Sequence, residues 1–586
     1  MATSISEVSG KESMEMTCRG TVSALVAALL VLSAARVAPA EDLDIRWRWV
    51  YCPRNFQVDA QVDEYIALME RAKRAGYNGM LTGDWKWGNM EGRPEGYYAN
   101  MKRAKAAADR IGIEIIPAVV SVGWSTGILQ NNPNLAEGME VKDCLFLVKG
   151  GTATVANTEN LVPMGDFETV TNGKLAGWSW YDSPGTVIVQ DTRVFHSGKA
   201  SARLSDFAAG EEHRNARLNR TLTLKPWHEY HLRLWIKTEN LQAGQTRAAV
   251  LTGQRDLIQT NLAVSPTQDW TVTDLVFNTM EHTDVGFYVG IWGARSGKAW
   301  IDDIELRETA GVNMLRRPGC PLRVTSEDGR TVYQEGQDFE RWEYPTMGRV
   351  PWPGSYEKWH PAPLIVLTKN SRIKEGERLK VSFYHTVVIM DGQVACCLRE
   401  EELFGHFERQ VRTVKEYFSP RKYMLGYDEL RLAGHCALCK KPGETAGQLL
   451  AEHVKRIVAM VHRIDPEAEC FTWSDMFDPN HNAKENYYLV ASTLAGSWEG
   501  LDPSVRIVDW YYSARDKSLP FFAQRGHEQL IGGYYDSPNY KETLAGWIES
   551  ARKVKGVHGV VYCTWAPGGH KDLEGFAKAL DELLRK

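Results

Sequence analysis

Beyond its first forty residues, the 586-residue chain has no apolar run long enough to cross a bilayer, which takes about 20 residues. A membrane-spanning domain is therefore not expected. Basic clusters are also missing. Lys and Arg total 69 against 74 Asp and Glu, a net charge of −5, which argues against a nucleic-acid partner. No internal repeat with a period of about 20–50 residues is visible, which argues against a solenoid. With 43% hydrophobic and 24% charged residues the chain is neither disordered nor collagen-like. Its length exceeds one ordinary domain and suggests two to four. What it has in excess is aromatic surface: 20 Trp and 23 Tyr. Such rings pack cores, and in extracellular sugar-active proteins they also serve as flat platforms for sugars.

Residues 20–35 form an uncharged apolar stretch preceded by Arg19 and followed by Ala38-Pro39-Ala40, a small-x-small cleavage site. The stretch is short for a membrane helix and fits a secretory signal peptide over residues 1–40, with Met14 or Met16 as alternative starts. The mature protein is expected to be secreted or periplasmic. Cys18 leaves with that segment, and nine cysteines remain. An odd number cannot all pair within one chain. Cys436 and Cys439 form a CxxC after His435, with no second pair at zinc-site spacing. A local disulfide, or a metal site completed by Cys396 or Cys397, are both open readings.

Two regions alternate short apolar strands with amphipathic helices, the pattern of βα units. The first supplies strands at Arg46–Cys52, Gly79–Asp84 and Glu114–Val120, with helices at 62–75 and 98–111. The second resumes with a helix at 400–418. Strands follow at Tyr423–Glu429, Cys470–Asp475, Arg506–Tyr511, Gln529–Tyr535 and Gly559–Trp565, with further helices at 448–464 and 573–584. Three strands plus five predict an α/β fold, a (β/α)8 TIM barrel interrupted after its third strand. The predicted domains are 41–156 and 386–586 for the barrel, 157–310 for a β-sandwich and 311–385 for a small β-rich segment. Val381–His385 is assigned to the return path of the insertion.

The sandwich region carries Asn160–Glu168 (Asn-Leu-Val-Pro-Met-Gly-Asp-Phe-Glu), Gly177-Trp178, Ser197–Ser201 and Trp300–Leu306. These resemble the jelly-roll carbohydrate-binding modules that open with an N-G-D-F-E signature, although Met164 stands where Asn is usual. The resemblance implies a structural calcium held by Glu168 and Asp303. Carboxylate oxygens suit that hard ion.

Active sites of such barrels lie at the carboxyl ends of the strands. There the sequence places Arg54, Asp84, Trp85, Asp428, Glu429, Trp473, Asp475, Trp510, Tyr534, Tyr535, Asp536 and Trp565. Adjacent carboxylates among aromatic rings are the composition of a glycosidase pocket, where one acid donates a proton to the leaving oxygen. Successive residues of a regular strand face opposite ways, so Asp428 and Glu429 share a cavity only if the strand ends or bulges there. Gly426 is suited to such a distortion.

The pattern resembles glycoside hydrolase family 20, the β-N-acetylhexosaminidases. Its quoted features here are Gly426-Tyr427-Asp428-Glu429, Arg54-Asn55-Phe56, the strand-end Trp473, Trp510 and Trp565, and Tyr534 or Tyr535. The resemblance implies a retaining exo-glycosidase that releases terminal β-linked GlcNAc or GalNAc, secreted if the signal-peptide reading holds. The substrate's 2-acetamido carbonyl would attack C1 through an oxazolinium intermediate, with no catalytic cofactor. Asp428 would hold the acetamido N–H, Glu429 would be the acid and base, and the tyrosine would bond the acetamido oxygen. The three tryptophans would wall its methyl group, and Arg54 would bind hydroxyls of the terminal sugar. At the second strand only Asp84 stands where the family has a His and an Asp, so the choice between the two sugars stays open. Asp475 is expected to line the sugar site. The alternatives are a retaining glycosidase with an enzymic nucleophile, such as Glu429 with Asp475, and a non-catalytic glycan-binding protein. All three take a glycan or glycoconjugate as partner.

Overall fold

The computed structural model describes residues 43–253, 255–390, 392–565 and 569–585. The expected signal peptide, its cleavage site and Cys18 lie outside them. Eight strands close a parallel barrel: β1 (Trp47–Tyr51), β2 (Gly79–Thr82), β3 (Glu114–Val119), β4 (Lys422–Leu425), β5 (Glu469–Trp473), β6 (Arg506–Asp509), β7 (Gln529–Tyr534) and β8 (Val557–Cys563). Strand β1 pairs in parallel with both β2 and β8, which leaves the sheet without an edge. Each strand sends at least one apolar side chain into a shared interior cluster: Trp49, Leu81, Ile116, Met424, Phe471 with Trp473, Val508, Leu530, and Val561 with Cys563. The barrel is therefore a packed plug, and any cavity must form above it. The alternate residues, such as Val50, Met80, Ile507 and Val560, are buried in the opposite, helix-facing layer.

The helices are α1 (Asp59–Arg74), α2 (Glu95–Ile111), α3 (Glu401–Phe418), α4 (Ala446–Ile464), α5 (Arg515–Gln524), α6 (Tyr540–Ala551) and α7 (Leu573–Leu584). Helix α4 buries Leu450, Val454, Ile457, Val458, Val461 and Ile464, the periodic stripe of the sequence. It starts at a capping box in which Thr445 and Gln448 exchange side-chain and backbone bonds. Helices α5 and α6 escaped the sequence pattern. Pro520 sits inside α5, and its apolar residues form no sustained stripe. Among the described residues no helix is long and apolar enough to cross a membrane.

Between β3 and β4 the described residues form three large antiparallel sheets and a two-stranded one, Val170–Thr171 with Lys174–Leu175. Two have five strands each, the first containing Glu229–Gln242 and Ser296–Thr309, the second Ala216–Thr223 and Asp284–Trp292. The third has six strands and corrects the expected boundaries. Met139–Lys149 and Thr152–Val155, assigned from sequence to the first barrel part, pair within it. Its partner strand Arg378–His385 runs antiparallel to Met139–Lys149 as the return path. The 311–385 segment therefore shares its sheet with residues 139–155. The reason is local: 139–149 alternates buried with more exposed side chains on each side of an irregularity at Lys142–Asp143, the period of a half-buried strand.

Candidate active site

Strand β4 stops at Leu425, and the chain then changes direction. The Gly426 N–H donates to Val119 O (2.9 Å), and Gly426 O accepts from Val122 N–H (3.0 Å). A Cβ on Gly426 would stand 2.9 Å from Ser121 Cα, so only glycine permits this approach. Tyr427 turns outward and is fully buried, its hydroxyl 2.7 Å from His453 Nδ1 on α4. Asp428 turns inward. Glu429 takes φ of +49°, a left-handed conformation costly for a residue with a Cβ. The distortion that the sequence required for two adjacent acids to share a cavity is present.

Several groups hold that conformation. Asp475 Oδ2 accepts the Glu429 N–H (2.9 Å), and Gln393 Nε2 donates to Glu429 O (2.7 Å). Arg431 donates to Gln393 Oε1 (2.7 Å) and forms an ion pair with the Glu429 carboxylate, also at 2.7 Å. Its guanidinium lies over the rings of Tyr488 (5.1 Å) and Trp124 (5.9 Å).

Above the interior plug lies a cavity of about 800 Å³. Asp428 and Glu429 line it, and Trp473, Trp510, Trp565, Tyr51 and Trp124 supply its aromatic walls. Tyr51 meets Trp473 edge-on at 6.0 Å and Trp565 at 4.9 Å. Trp565 is 62% exposed and forms part of the rim. Burial, reinforced by the neighbouring Glu429 charge, pushes the Asp428 carboxyl up to about 6. Burial together with the Asp428 charge pushes Asp475 up to about 7. The low polarity thus raises one carboxyl in the pocket, Asp428, and one directly behind its wall, Asp475, toward neutrality, a setting suited to acid–base chemistry.

Other expected site residues sit elsewhere. Asp475 is fully buried behind the wall, where Glu429 N–H, Asn482 Nδ2 (3.1 Å) and Trp510 Nε1 (3.3 Å) bond it. It positions the acid-bearing turn and does not line the cavity. Asp84 is buried and caps its own turn, accepting from Lys86 N–H (3.0 Å), Phe56 N–H (3.0 Å) and the Tyr97 hydroxyl (3.1 Å). Its oxygens are committed to structure, so the expected sugar contact is corrected. Tyr535 is likewise fully buried, packed on Phe576 and Tyr562 behind the barrel wall. The side chain of Tyr534 lies outside the described residues. Arg54 lines an adjoining cavity shared with Tyr51 and Trp565, 3.8 Å from Glu64. Sequence reasoning missed Tyr51, Trp124, Gln393 and Arg431. Only Arg431 had a local clue, its place two residues beyond Glu429.

In the insert, Glu168 and Asp303 approach the loop at 196–200 separately. Glu168 Oε1 accepts Lys199 N–H (2.5 Å) and Ala200 N–H (3.1 Å). Asp303 bonds His196 Nδ1 (2.6 Å) and the Ser197 hydroxyl (2.9 Å).

Comparison with known proteins places residues 159–296 in the family described as "Carbohydrate binding domain". No curated protein matches the chain. Among solved structures, the chain is similar to TmCBM61 in complex with beta-1,4-galactotriose, at 15% identity and a TM-score of 0.20, over 25% of this chain and 98% of that one. A xylan-binding domain from Paenibacillus barcinonensis matches at 14% identity and 0.19, over 26% and 97%. A rhamnosidase from Novosphingobium sp. PP1Y matches at 11% identity and 0.30, over 94% of this chain and 59% of the enzyme. The chain therefore carries a carbohydrate-binding segment at residues 159–296, between the third and fourth strands of its barrel.

Proposed function

We propose that the protein is a glycoside hydrolase acting in the cavity at the carboxyl end of a (β/α)8 barrel that is split by a jelly-roll insert. One observation carries the reading: Asp428 and Glu429 converge, through a distorted strand end, on an indole-walled pocket. The carbohydrate-binding segment in the same chain supports a glycan as substrate. The finer proposal is retaining, substrate-assisted release of terminal β-linked N-acetylhexosamine. Anionic Asp428 would hold the acetamido N–H while the acetamido carbonyl closes on C1, so effective molarity replaces an enzymic nucleophile. Glu429 would protonate the leaving oxygen and then take the proton of the incoming water. Trp473, Trp510 and Trp565 would enclose the methyl group, and Tyr51, which lines the same cavity, would bond the acetamido oxygen.

The ion pair between Glu429 and Arg431 bears on this assignment, because a proton donor must leave that pair. The competing reading, Glu429 with Asp475 as nucleophile, meets a larger obstacle: Asp475 is enclosed and held by three donors. The calcium role of Glu168 and Asp303 and export of the chain belong to the same proposal. Calcium would be read as a rise in the melting temperature with added Ca²⁺ that Glu168→Gln abolishes. Export would be read as an N-terminus at Glu41 in the secreted protein.

The deciding experiment compares aryl β-glycosides of N-acetylglucosamine and N-acetylgalactosamine with their 2-hydroxy counterparts. Turnover of the 2-acetamido sugars alone, with tight inhibition by a 2-acetamido-thiazoline, is expected. Equal turnover of the 2-hydroxy sugars sinks substrate assistance. No turnover of any glycoside sinks the hydrolase.

A further inference from the structure

Outside the cavity, the described residues bring three thiols and one carboxylate to a single buried point: Glu137, Cys397, Cys436 and Cys439. Their ligand atoms all lie within 4.8 Å of one another. Cys397 Sγ is 3.7 Å from Cys436 Sγ and 3.4 Å from Cys439 Sγ, and Cys439 Sγ is 3.5 Å from Glu137 Oε2. A disulfide needs about 2.05 Å between sulfurs. Four ligands tetrahedrally placed at zinc distances of about 2.0–2.3 Å are instead separated by roughly 3.5–3.8 Å. Three of the six separations, 3.4, 3.5 and 3.7 Å, match the edges of such a tetrahedron, and the other three are within 4.8 Å.

The surroundings orient the four groups as ligands. The backbone N–H groups of His435 and Cys436 both donate to Glu137 Oε1 (2.7 and 2.9 Å), which leaves Oε2 toward the sulfurs. The CxxC closes as a turn, with Cys439 N–H and Lys440 N–H donating to Cys436 O at 3.0 and 2.9 Å. Arg317, beside Cys436, is fixed by Asn134 O, Ala136 O and Glu400 and supplies a positive charge at the edge of the cluster. Two nearby candidates point elsewhere: His435 Nε2 bonds Leu489 O (2.7 Å), and Cys396 Sγ faces Val122 O. A second group, Cys144 with His228 and Glu308, differs in kind. There the carboxylate already holds His228 (2.7 Å) and Lys225 (3.0 Å).

We propose that Glu137, Cys397, Cys436 and Cys439 bind one zinc ion as a closed, structural site. Three sulfurs and one oxygen in a tetrahedron select zinc over hard ions such as Ca²⁺ or Mg²⁺. The ion would join three stretches of chain that are distant in sequence. Glu137 precedes the first strand of the insertion, Cys397 stands where the chain returns just before α3, and the CxxC lies seven residues beyond Glu429. Zinc would thus fasten both ends of the insertion to the loop that continues from the acid-bearing turn.

The test is metal content of the full-length protein prepared with zinc and freed of loose metal by gel filtration. About one zinc per chain is expected, falling at least fivefold in Cys439→Ser and in Glu137→Gln but not in Cys470→Ala. Cobalt loaded in place of zinc should show thiolate charge-transfer and tetrahedral d–d absorption, lost in Cys439→Ser. Should that variant fail to fold, chelation of the intact protein supplies the same readout: zinc release with a lower melting temperature, restored by zinc and not by calcium. Zinc below a tenth of an equivalent, full zinc retention in both ligand variants, or a disulfide among Cys397, Cys436 and Cys439 in unreduced peptides would overturn the proposal.

Discussion

At the scale of single residues, the pocket divides labour between a paired and a shielded carboxylate. Glu429 is held by Arg431, and Asp428 is enclosed by rings. Glu429→Gln keeps the shape and removes the exchangeable proton, so kcat/KM on an unactivated glycoside should fall by about 10²–10⁴-fold. An unchanged circular dichroism spectrum is the control, and retained turnover would contradict the assignment. The raised carboxyls also predict a pH dependence. Asp428 and Asp475 bind protons more tightly folded, near 6 and 7, than unfolded, near 4. Their protonation therefore favours the folded state fully below about pH 4, and this contribution is lost as pH rises through about 6 to 7. Melting temperatures measured from pH 5 to 8 should decline less steeply for Asp475→Asn than for the parent. Activity should run the opposite way on its acid side, falling below pH 6 as Asp428 loses its charge.

At the scale of elements, the site depends on β4 ending early and on the loop after β3 leaving room for the turn. A Cβ on Gly123 would stand 2.5 Å from Asp428 O and 3.1 Å from Glu429 O. Both are backbone atoms, so relieving the clash requires a backbone shift of the acid-bearing turn or of the loop facing it. Gly123→Ala should cost about 1–3 kcal/mol of stability by overpacking. It should lower kcat more than tenfold, since small misplacements of catalytic groups are expensive. Steady-state kinetics beside denaturant titration checks both. Much at this scale was legible in advance. The eight barrel strands follow apolar runs, and Trp473, Trp510 and Trp565 end three of them at the cavity. Asp84 and Tyr535 misled because a strand-end position does not say which way a side chain points. One caps its own turn and the other packs behind the wall.

At the scale of the whole molecule, the insert touches the loops around the pocket. Arg255 donates to Val490 O (3.2 Å), and Gln259 bonds the Tyr488 hydroxyl. The Tyr488 ring lies under Arg431, the partner of Glu429. Tyr488→Ala removes both the contact with the insert and the ring beneath the guanidinium. A cation–π contact is worth about 0.5–2 kcal/mol, so kcat/KM should change by roughly two- to thirtyfold, measurable on the best aryl glycoside. An unaltered value would detach the insert from catalysis.

Local apolar runs and periodicity gave the eight barrel strands, the break after the third and the acids at the end of the fourth, though not two of the helices, because strand and helix periods are written in local residue order. The partners that give those acids their character were decided by tertiary structure. Arg431 could be seen beside Glu429 in sequence, but its grip through Gln393 depends on a segment that returns from the insertion. Cys397 was one of the two residues the sequence offered to complete a metal site with the CxxC, but Glu137, some three hundred residues before the CxxC, had no local signal that tied it to them. Only folding brings such groups within bonding reach, since their encounter is set by how the barrel closes around the inserted sheets.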